Sequence, residues 1–486
     1  MFDQITTQPS LDKDSFEARA TKLRRELLEC QFAMVETGYP VLIVVAGLDG
    51  AGKGVLVHRL NEWMDPRGIE TNTFWDPSDE EEEHPFFWRF WRQLPDRGRI
   101  GIFLGSWYRR PIQLRVDEEI NESSFETAAE RIRVFERQLS DDGAVVIKLW
   151  LHVSEKTQRR QLEEKAPREE QNPRISDRPY ELRGKYEPTL RASEELVRRT
   201  QTLQCPWHII DGEERYSREI AAGEIILAAL RQRLQQSAPP TPPPELPPPN
   251  DHLAAVPLHK SLKRDEYREK LEHYQARLQD LAWRAYREKR SLVALFEGWD
   301  AAGKGSAIRR VTGAIDPRLY KLVQIAAPSD EESAHHYLWR FWRRLQRDGR
   351  ATLFDRSWYG RVLVERVEGF ASPAEWQRAY AEINEMEREL SDHGAIVAKF
   401  WLHISPEEQL ARFRARELEP HKQYKITSED WRNRDKWPAY EAAVNQMVSL
   451  TDMPNAPWYL IPGNDKRYAR VRILKLLCRQ LEEALG

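Results

Sequence analysis

The residues best suited to chemistry in this sequence form a glycine-rich loop. The stretch GWDAAGKG begins at Gly298 and carries Gly303, Lys304 and Gly305 at its end. It follows an apolar run at 292–296 that is typical of a buried strand, and Lys304 opens a predicted helix. Glycines let backbone N–H groups converge on phosphate oxygens, while the helix N-terminus and the lysine add positive charge. The pattern therefore predicts a phosphate-binding loop.

A magnesium site is predicted beside this loop. Phosphate loops usually follow the lysine with a Ser or Thr that ligates Mg²⁺, but this chain has Gly305. Hard oxygen ligands must then come from elsewhere, and we expect them from Asp300 in the loop and Asp355 at the end of a later strand. Arg356 would neutralise charge on a migrating phosphoryl group. A helix cap or turn cap is the alternative role for Asp355.

The sequence contains the whole pattern twice. GLDGAGKG begins at Gly47, 251 residues before Gly298, and the same shift superposes two WRFWR motifs. A repeat this long indicates a duplicated domain. The predicted divisions are a first domain at 1–236, a Pro-rich spacer at 237–251 and a second domain at 252–486.

Each copy alternates strand-like and helix-like segments. The second copy has a predicted opening helix at 263–288 and a helix at 304–312, and its predicted strands are 292–296, 351–354, 395–401 and 458–461. This order favours a three-layer α/β/α fold on a parallel sheet, present in tandem. The WRFWR motif occurs in both copies and is interpreted as core packing, with base stacking as the alternative.

The two copies differ where chemistry is predicted. Asp355, Arg356 and Glu365 of the second copy correspond to Leu104, Gly105 and Leu114 of the first. Leucine cannot ligate Mg²⁺ and glycine cannot neutralise a phosphoryl group. The second copy is therefore the predicted enzyme and the first an inactive relative. Glu365 is a candidate carboxylate on the nucleotide side or around the metal.

A basic segment of the second copy predicts a lid at about 405–440. Residues 412–425 hold five Lys/Arg against two Glu, whereas the matching 161–174 hold three against four. The predicted phosphate-chain ligands are the loop residues Gly298, Gly303, Lys304 and Gly305, together with Arg356, Arg412, Arg414, Arg416, Lys422 and Lys425.

Composition excludes several other classes. The 75 Lys+Arg and 78 Asp+Glu give a net charge of −3, so a wholesale wrap around nucleic acid is not expected. No apolar run is long enough to span a bilayer, and the polar N-terminus does not look like a secretory signal. We expect a cytoplasmic protein that binds neither nucleic acid nor membrane.

Three further motifs identify a resemblance. FDRSWYGR begins at Phe354, ERV begins at Glu365 and DWRNRDKW begins at Asp430. With the glycine loop, these resemble the polyphosphate kinase 2 family, and the tandem arrangement is similar to its two-domain polyphosphate:AMP phosphotransferase type. The resemblance implies a thymidylate-kinase-like P-loop fold, a lid, Mg²⁺, an active C-terminal copy, and inorganic polyphosphate as the phosphoryl donor to a nucleotide. AMP, giving ADP, is the expected acceptor.

Other functions stay open at this point. The acceptor could be ADP, or the protein could be an ATP-dependent P-loop kinase of a nucleotide or another small molecule. A non-catalytic polyphosphate-binding module is a further alternative, above all for the first copy. The sequence does not decide whether the chain forms a homo-oligomer.

Overall fold

A computed structural model describes residues 2, 9–170, 185–235, 245–419 and 428–486. The chain divides into two compact units. The first unit comprises 1–78, 89–240 and 330–336, and the second comprises 79–88, 241–329 and 337–486. Each unit also includes a short segment of the other repeat, which the sequence pattern did not predict.

Both units are built on a five-stranded parallel sheet. In chain order the strands are β1 (Val41–Gly47), β2 (Ile69–Thr73), β3 (Ile100–Leu104), β4 (Val145–His152), β5 (Trp207–Asp211), β6 (Leu292–Gly298), β7 (Tyr320–Gln324), β8 (Ala351–Asp355), β9 (Ile396–His403) and β10 (Trp458–Pro462). The strand order is β2-β3-β1-β4-β5 in the first unit and β7-β8-β6-β9-β10 in the second. The two sheets therefore share one topology, with the loop-bearing strand in the middle.

Helices connect the strands. In chain order they are α1 (Lys13–Thr37), α2 (Lys53–Trp63), α3 (Asp79–Glu82), α4 (Trp88–Trp91), α5 (Arg109–Val116), α6 (Glu122–Asp141), α7 (Glu155–Glu170), α8 (Tyr186–Arg199), α9 (Arg215–Gln235), α10 (Arg264–Arg287), α11 (Lys304–Thr312), α12 (Asp330–Ser333), α13 (Trp339–Trp342), α14 (Val364–Val367), α15 (Pro373–Asp392), α16 (Pro406–Leu418), α17 (Ser428–Asp435), α18 (Trp437–Thr451) and α19 (Lys466–Leu485). No helix among the described residues has the length and apolar character that crossing a membrane requires.

The central strands explain why this fold forms. Every residue of β9 is buried, and so are all residues of β6 except Gly298. Successive side chains of a strand point to opposite faces, so both faces of the sheet are covered, as expected for a parallel sheet between helices. Leu292 pairs with Ala351 of β8 and with Ile396 of β9, which sets the register of the three strands. The predicted α/β class is confirmed.

A buried ion pair ties the sheet to the segment after β8. Lys399 on β9 donates hydrogen bonds to Glu387 Oε2 (2.7 Å) and to the carbonyl of Thr451 (2.6 Å). Glu387 Oε1 accepts from Trp358 Nε1 (3.0 Å) and from Tyr359 Oη (2.8 Å). The first unit has the same network among Trp107, Tyr108, Glu136, Lys148 and Thr200. This cluster is therefore part of the shared scaffold.

Several sequence predictions can be checked against these elements. The helix at 304–312 and the strands at 292–296, 351–354, 395–401 and 458–461 are confirmed to within about two residues. Trp339 and Trp342 of the second WRFWR motif are 3% and 1% exposed, which confirms the core interpretation. The sequence reading missed β7, a strand at the sheet edge that has three exposed residues and therefore lacks a continuous apolar pattern.

The described end of the spacer lies against the second unit. Residues 245–250 have neither helix nor strand. The Pro247 carbonyl accepts a hydrogen bond from Gln446 Nε2 (3.3 Å), and Asn250 N donates to Ser449 Oγ (3.1 Å). These bonds attach this end to α18.

Candidate active site

The glycine loop of the second unit lies between β6 and α11. Gly298 has φ +147°, and a Cβ there would lie 2.5 Å from the Leu402 carbonyl oxygen, so only glycine fits. Gly303 has φ +112° and caps the N-terminus of α11. Lys304 begins that helix, and its Nζ donates to the Gly298 carbonyl (2.6 Å). The lysine is thereby held across the loop, beside the backbone N–H groups of the helix N-terminus.

Asp300 lies at the centre of a charged cluster within this loop. Its Oδ1 is 3.5 Å from Arg356 Nη2, and its Oδ2 accepts a hydrogen bond from Asn433 Nδ2 (3.0 Å). Burial disfavours the ionised form, but the Lys304 ammonium and the Asn433 hydrogen bond outweigh it and lower the pKa of Asp300. The Asp300 side chain is 16% exposed. Asp300 is therefore an ionised carboxylate that remains partly accessible.

Asp355 and Arg356 reach the same region from the end of β8. Asp355 pairs with Phe296 in the sheet register, two residues before the loop begins. Arg356 N donates to the Phe296 carbonyl (3.1 Å), and the Arg356 side chain is 47% exposed. Burial lowers the pKa of the guanidinium, but Asp300 and Glu297 outweigh this effect and raise it. The structure therefore brings Arg356 to the loop with part of its side chain accessible.

The backbone of Arg356 is unusual. Its φ is +64°, a left-handed conformation that side chains other than glycine rarely adopt. The first copy has Gly105 with φ +68° at this position. The second copy thus maintains a conformation that costs on the order of 1 kcal/mol for a side chain, as functional sites often do.

Glu297 is a residue that sequence reasoning missed. It is the next-to-last residue of β6, is 5% exposed, and accepts a hydrogen bond from Ser357 Oγ (2.8 Å). Burial raises its pKa, against opposing effects of Ser357 and Lys304. The first copy has Ala46 at this position. Comparison of the two copies at this one strand position would have detected Glu297, whose charge interacts with those of Lys304 and Arg356.

The donor set fits Mg²⁺. Among the described residues, no group of three or more His, Cys, Asp or Glu side chains forms a preassembled metal site. Mg²⁺ commonly takes one or two carboxylates and completes its shell with substrate phosphate oxygens and water. Asp300 in the loop and Asp355 at the end of the adjacent strand are carboxylates of this kind, and Glu297 is a third carboxylate that is buried and accepts a hydrogen bond from Ser357, so the donor types fit a Mg²⁺ ion that arrives with a phosphate chain.

The predicted lid is described only in part. It includes α16 and α17, and the predicted ligands Lys422 and Lys425 lie outside the described residues. Arg414 is exposed, and Arg416 is half-buried with a charge that lowers the pKa of Asp300. Both remain predictions as phosphate ligands.

Arg412 has a different environment from the one predicted for a phosphate ligand. Its guanidinium donates to the carbonyls of Ala301, Ala302, Gly463 and Asn464 and to Glu408 Oε1, at 2.6–2.9 Å. These bonds occupy all five N–H donors, and the side chain is 6% exposed. Arg412 therefore stabilises the backbone of the glycine loop through hydrogen bonds to its carbonyl groups, and it has no N–H donor left for substrate. The charge pattern could not distinguish it from its neighbours on α16.

Two other predicted site residues have surroundings that differ from those of Asp300 and Arg356. Glu365 Oε2 lies 3.2 Å from Arg361 Nε on the segment after β8, so its described ion pair is with Arg361. Gly305 is exposed on α11, and a Cβ there would meet no other atom within 4 Å. Glu365 as a substrate-side carboxylate and Gly305 as a phosphate contact remain predictions.

The first unit keeps the loop but not the surrounding charges. Lys53 Nζ donates to the Gly47 carbonyl (2.8 Å) and lies 3.1 Å from Asp49 Oδ1. Gly105 cannot be replaced freely, because a Cβ there would lie 2.4 Å from the Phe74 carbonyl oxygen. The first unit therefore has no counterpart of the Arg356 guanidinium, and a side chain at position 105 would collide with the backbone of Phe74.

His403 supports the loop in a way that depends on pH. Trp299 Nε1 donates to His403 Nδ1 (3.0 Å), and burial lowers the pKa of this histidine to about 4. A lowered pKa means that stability is fully present above about pH 6.5 and is lost as the pH falls towards 4. We expect this histidine to account for up to about 3 kcal/mol of acid destabilisation.

Urea unfolding at pH 7, 6, 5 and 4.5 measures this effect. The carboxylates of the protein titrate equally in the wild type and in His403→Gln. The difference between the two proteins in how the free energy of unfolding changes with pH therefore isolates the histidine. Parallel pH profiles for the two proteins would contradict the assignment.

Comparison with known proteins identifies the family. A family model described as Polyphosphate kinase 2 matches residues 10–238 and 261–485. The chain is 45% identical to a polyphosphate:AMP phosphotransferase of Pseudomonas aeruginosa, over 100% of this chain and 99% of the relative. It is 38% identical to one of Acinetobacter johnsonii, over 95% and 96%.

A solved structure is similar over the whole chain. A crystal structure from Pseudomonas aeruginosa, which carries the polyphosphate kinase 2 name, superposes with a TM-score of 0.89 at 45% identity and covers 100% of this chain and 99% of that one. The duplicated phosphate loop, the charged cluster of the second copy and these full-length similarities lead to one conclusion: the chain belongs to the polyphosphate kinase 2 family.

Proposed function

We propose that the second unit transfers the terminal phosphoryl group of inorganic polyphosphate to AMP, giving ADP, with Mg²⁺. The observation that carries the proposal is the full-length similarity to relatives named for this activity, at 45%, 43% and 38% identity. The local support is the cluster of Asp300, Lys304 and Arg356. The first unit retains the aspartate and the lysine but has glycine in place of the arginine. Donor, acceptor and metal are parts of the same proposal.

The residues of the cluster have distinct tasks in this mechanism. Phosphoryl transfer depends mainly on positioning and charge neutralisation. Lys304 and the helix N-terminus hold the terminal phosphate of the donor, and Arg356 stabilises the charge on the group in transfer. Asp300 and Asp355 would hold Mg²⁺, which would neutralise charge on the bound phosphate oxygens. A phosphate oxygen of AMP is already largely deprotonated near neutral pH, so no strong general base is needed.

One assay distinguishes the candidate donors and acceptors. The protein is incubated with Mg²⁺ and AMP, together with either long-chain polyphosphate or ATP, and ADP is followed over time. A parallel reaction replaces AMP with ADP and follows ATP. ADP formation from polyphosphate is expected to dominate. Rapid transfer from ATP alone would overturn the donor assignment, and faster reaction of ADP than AMP would overturn the acceptor assignment.

A cationic cluster beside Arg412 is expected to make polyphosphate use weaker at alkaline pH. Burial and the charges of Arg412 and Arg416 lower the pKa of Lys466 to about 8. Its ammonium is therefore half deprotonated near pH 8, and most of one positive charge beside Arg412 is lost as the pH rises from 7 to 9. We expect the KM for polyphosphate to rise severalfold over this range, because the binding free energy of one weak charge contact is lost.

The matched variant is Lys466→Arg, which stays charged at pH 9. Its KM for polyphosphate should change little between pH 7 and 9. An equal rise in wild type and variant would show that a different group titrates.

A further inference from the structure

The first unit contains a cavity at its own phosphate loop. The cavity has a volume of about 330 Å³, at the lower end of the range for ligand sites. One end is lined by the loop, including Lys53, and the walls are largely apolar, with Phe74, Leu104, Ile112 and Leu162. The site that lost its catalytic groups has therefore kept room for a small molecule.

Smaller side chains help to form this space. Leu48, Thr189 and Ser193 line the cavity, whereas the second copy has Trp299, Tyr440 and Val444 at these positions. In the second unit the Trp299 ring stacks on Trp437, with ring centres 3.6 Å apart. The rings of Trp299 and Tyr440 are therefore replaced by smaller side chains in the first copy.

Three residues that line the cavity carry buried hydroxyl groups. Ser106, Thr189 and Ser193 are 3%, 8% and 0% exposed. Within the described part of the chain, none of their hydroxyl groups has a hydrogen-bond partner. Ser106 illustrates the cause, because its counterpart Ser357 donates to Glu297, where the first copy has Ala46. Buried polar groups in native proteins normally have partners, so these three indicate a ligand with polar atoms.

The charges of the site limit the kind of ligand. Lys53 and Arg109 are the cationic residues among the described residues that line the cavity. Each is near a carboxylate, since Lys53 lies 3.1 Å from Asp49 and Arg109 lies 3.7 Å from Asp76. This is too little positive charge for a polyphosphate chain. It suits one phosphate group at the loop, where the α2 N-terminus adds positive potential.

Aromatic surface and hydroxyl groups favour a heteroaromatic ring as the rest of the ligand. Trp75 lines the cavity, is 44% exposed and lies under the Arg109 guanidinium, 5.4 Å from the ring centre. Hydroxyl groups can donate to or accept from ring nitrogens and exocyclic groups. We propose that the first unit binds a nucleoside monophosphate without turning it over, with the phosphate at Lys53 and the base in the cavity. Leu104 and Gly105 stand where catalysis would need a metal ligand and a guanidinium.

The test counts AMP bound by the full chain. Equilibrium dialysis with labelled AMP is done without polyphosphate on the wild type and on a Thr189→Tyr/Ser193→Val variant, which installs the side chains of the second copy. The expected result is one fewer AMP bound per chain, or at least about tenfold weaker binding at one site. A Leu203→Ser change, at a residue that is 98% exposed, is the matched control and should have no effect.

A second measurement covers the case in which the double variant unfolds. The wild-type chain is irradiated with 8-azido-AMP, and the labelled peptides are mapped. Labelling of the peptide that contains Trp75, prevented by unlabelled AMP but not by inorganic tripolyphosphate, is expected. Unchanged AMP stoichiometry in a folded variant, or absence of label from the first unit, would overturn the proposal. Competition by tripolyphosphate but not by AMP would also overturn it, in favour of a polymer site.

Discussion

Replacing Arg356 with glycine, the residue of the first copy, is expected to lower kcat at least about 100-fold and to leave the free energy of unfolding within about 1 kcal/mol of the wild type. The loss of activity follows from the role of Arg356 in stabilising transferred charge. Its guanidinium lies 3.5 Å from Asp300 Oδ1 and is partly accessible, as a substrate contact requires.

The small change in stability has three parts. Glycine relieves the left-handed φ of +64°, a gain of about 1–2 kcal/mol. The greater conformational freedom that glycine gives the unfolded chain reduces this gain by about 0.4–1 kcal/mol. The half-exposed ion pair with Asp300 contributes at most about 1 kcal/mol. The measurements are steady-state kinetics and urea unfolding of the same preparation.

Gly105→Arg in the first unit is the matched control. A Cβ at Gly105 would lie 2.4 Å from the Phe74 carbonyl oxygen, so this change should destabilise the first unit and should not create a second active site. Full activity of Arg356→Gly would contradict the catalytic role. A large loss of stability in that variant would instead make Arg356 a structural residue.

Glu387→Gln is expected to have the largest effect on stability, about 3–5 kcal/mol. The change leaves the Lys399 ammonium, which is 0% exposed, without its carboxylate partner. It also weakens the bonds from Trp358 and Tyr359, which follow Arg356 in the chain. Activity should therefore fall together with the thermal stability of the second unit.

The first unit supplies the control for this prediction. Glu136→Gln removes the same buried pair with Lys148. It should destabilise the first unit by a similar amount and leave the second unit folded, as judged by calorimetry that resolves the two transitions. A change below about 1 kcal/mol for Glu387→Gln would contradict the assignment of the pair as a structural anchor.

Much of the site could be predicted because it is local in sequence. Gly298, Gly303 and Lys304 act through the backbone of one short segment, so their spacing alone defines the loop. The comparison of the two copies then showed that Arg356 replaces the glycine found at position 105. Parallel strands bring their carboxyl ends to one edge of the sheet, so Arg356 at the end of β8 was expected near the loop at the end of β6. These two steps located the charged cluster.

The remaining features depend on tertiary contacts. Arg412 and Arg414 are two residues apart on one helix, and only packing makes the first a buried anchor and the second an exposed side chain. Glu297 was hidden in an apolar strand. The inclusion of 79–88 and 330–336 in the opposite units could not be predicted, because each short segment resembles its counterpart and carries no local signal of its partner.

The division of labour between the copies is tested most directly by a pair of lysine variants. Lys53 and Lys304 each donate to the carbonyl of the first loop glycine, at 2.8 Å and 2.6 Å, so removing either side chain disturbs its own loop in the same way. The measurement is ADP formation from AMP and polyphosphate by Lys53→Ala and Lys304→Ala under identical conditions. We predict that Lys304→Ala abolishes turnover and that Lys53→Ala retains most of it. Equal losses in the two variants would contradict the conclusion that the second copy alone performs the transfer.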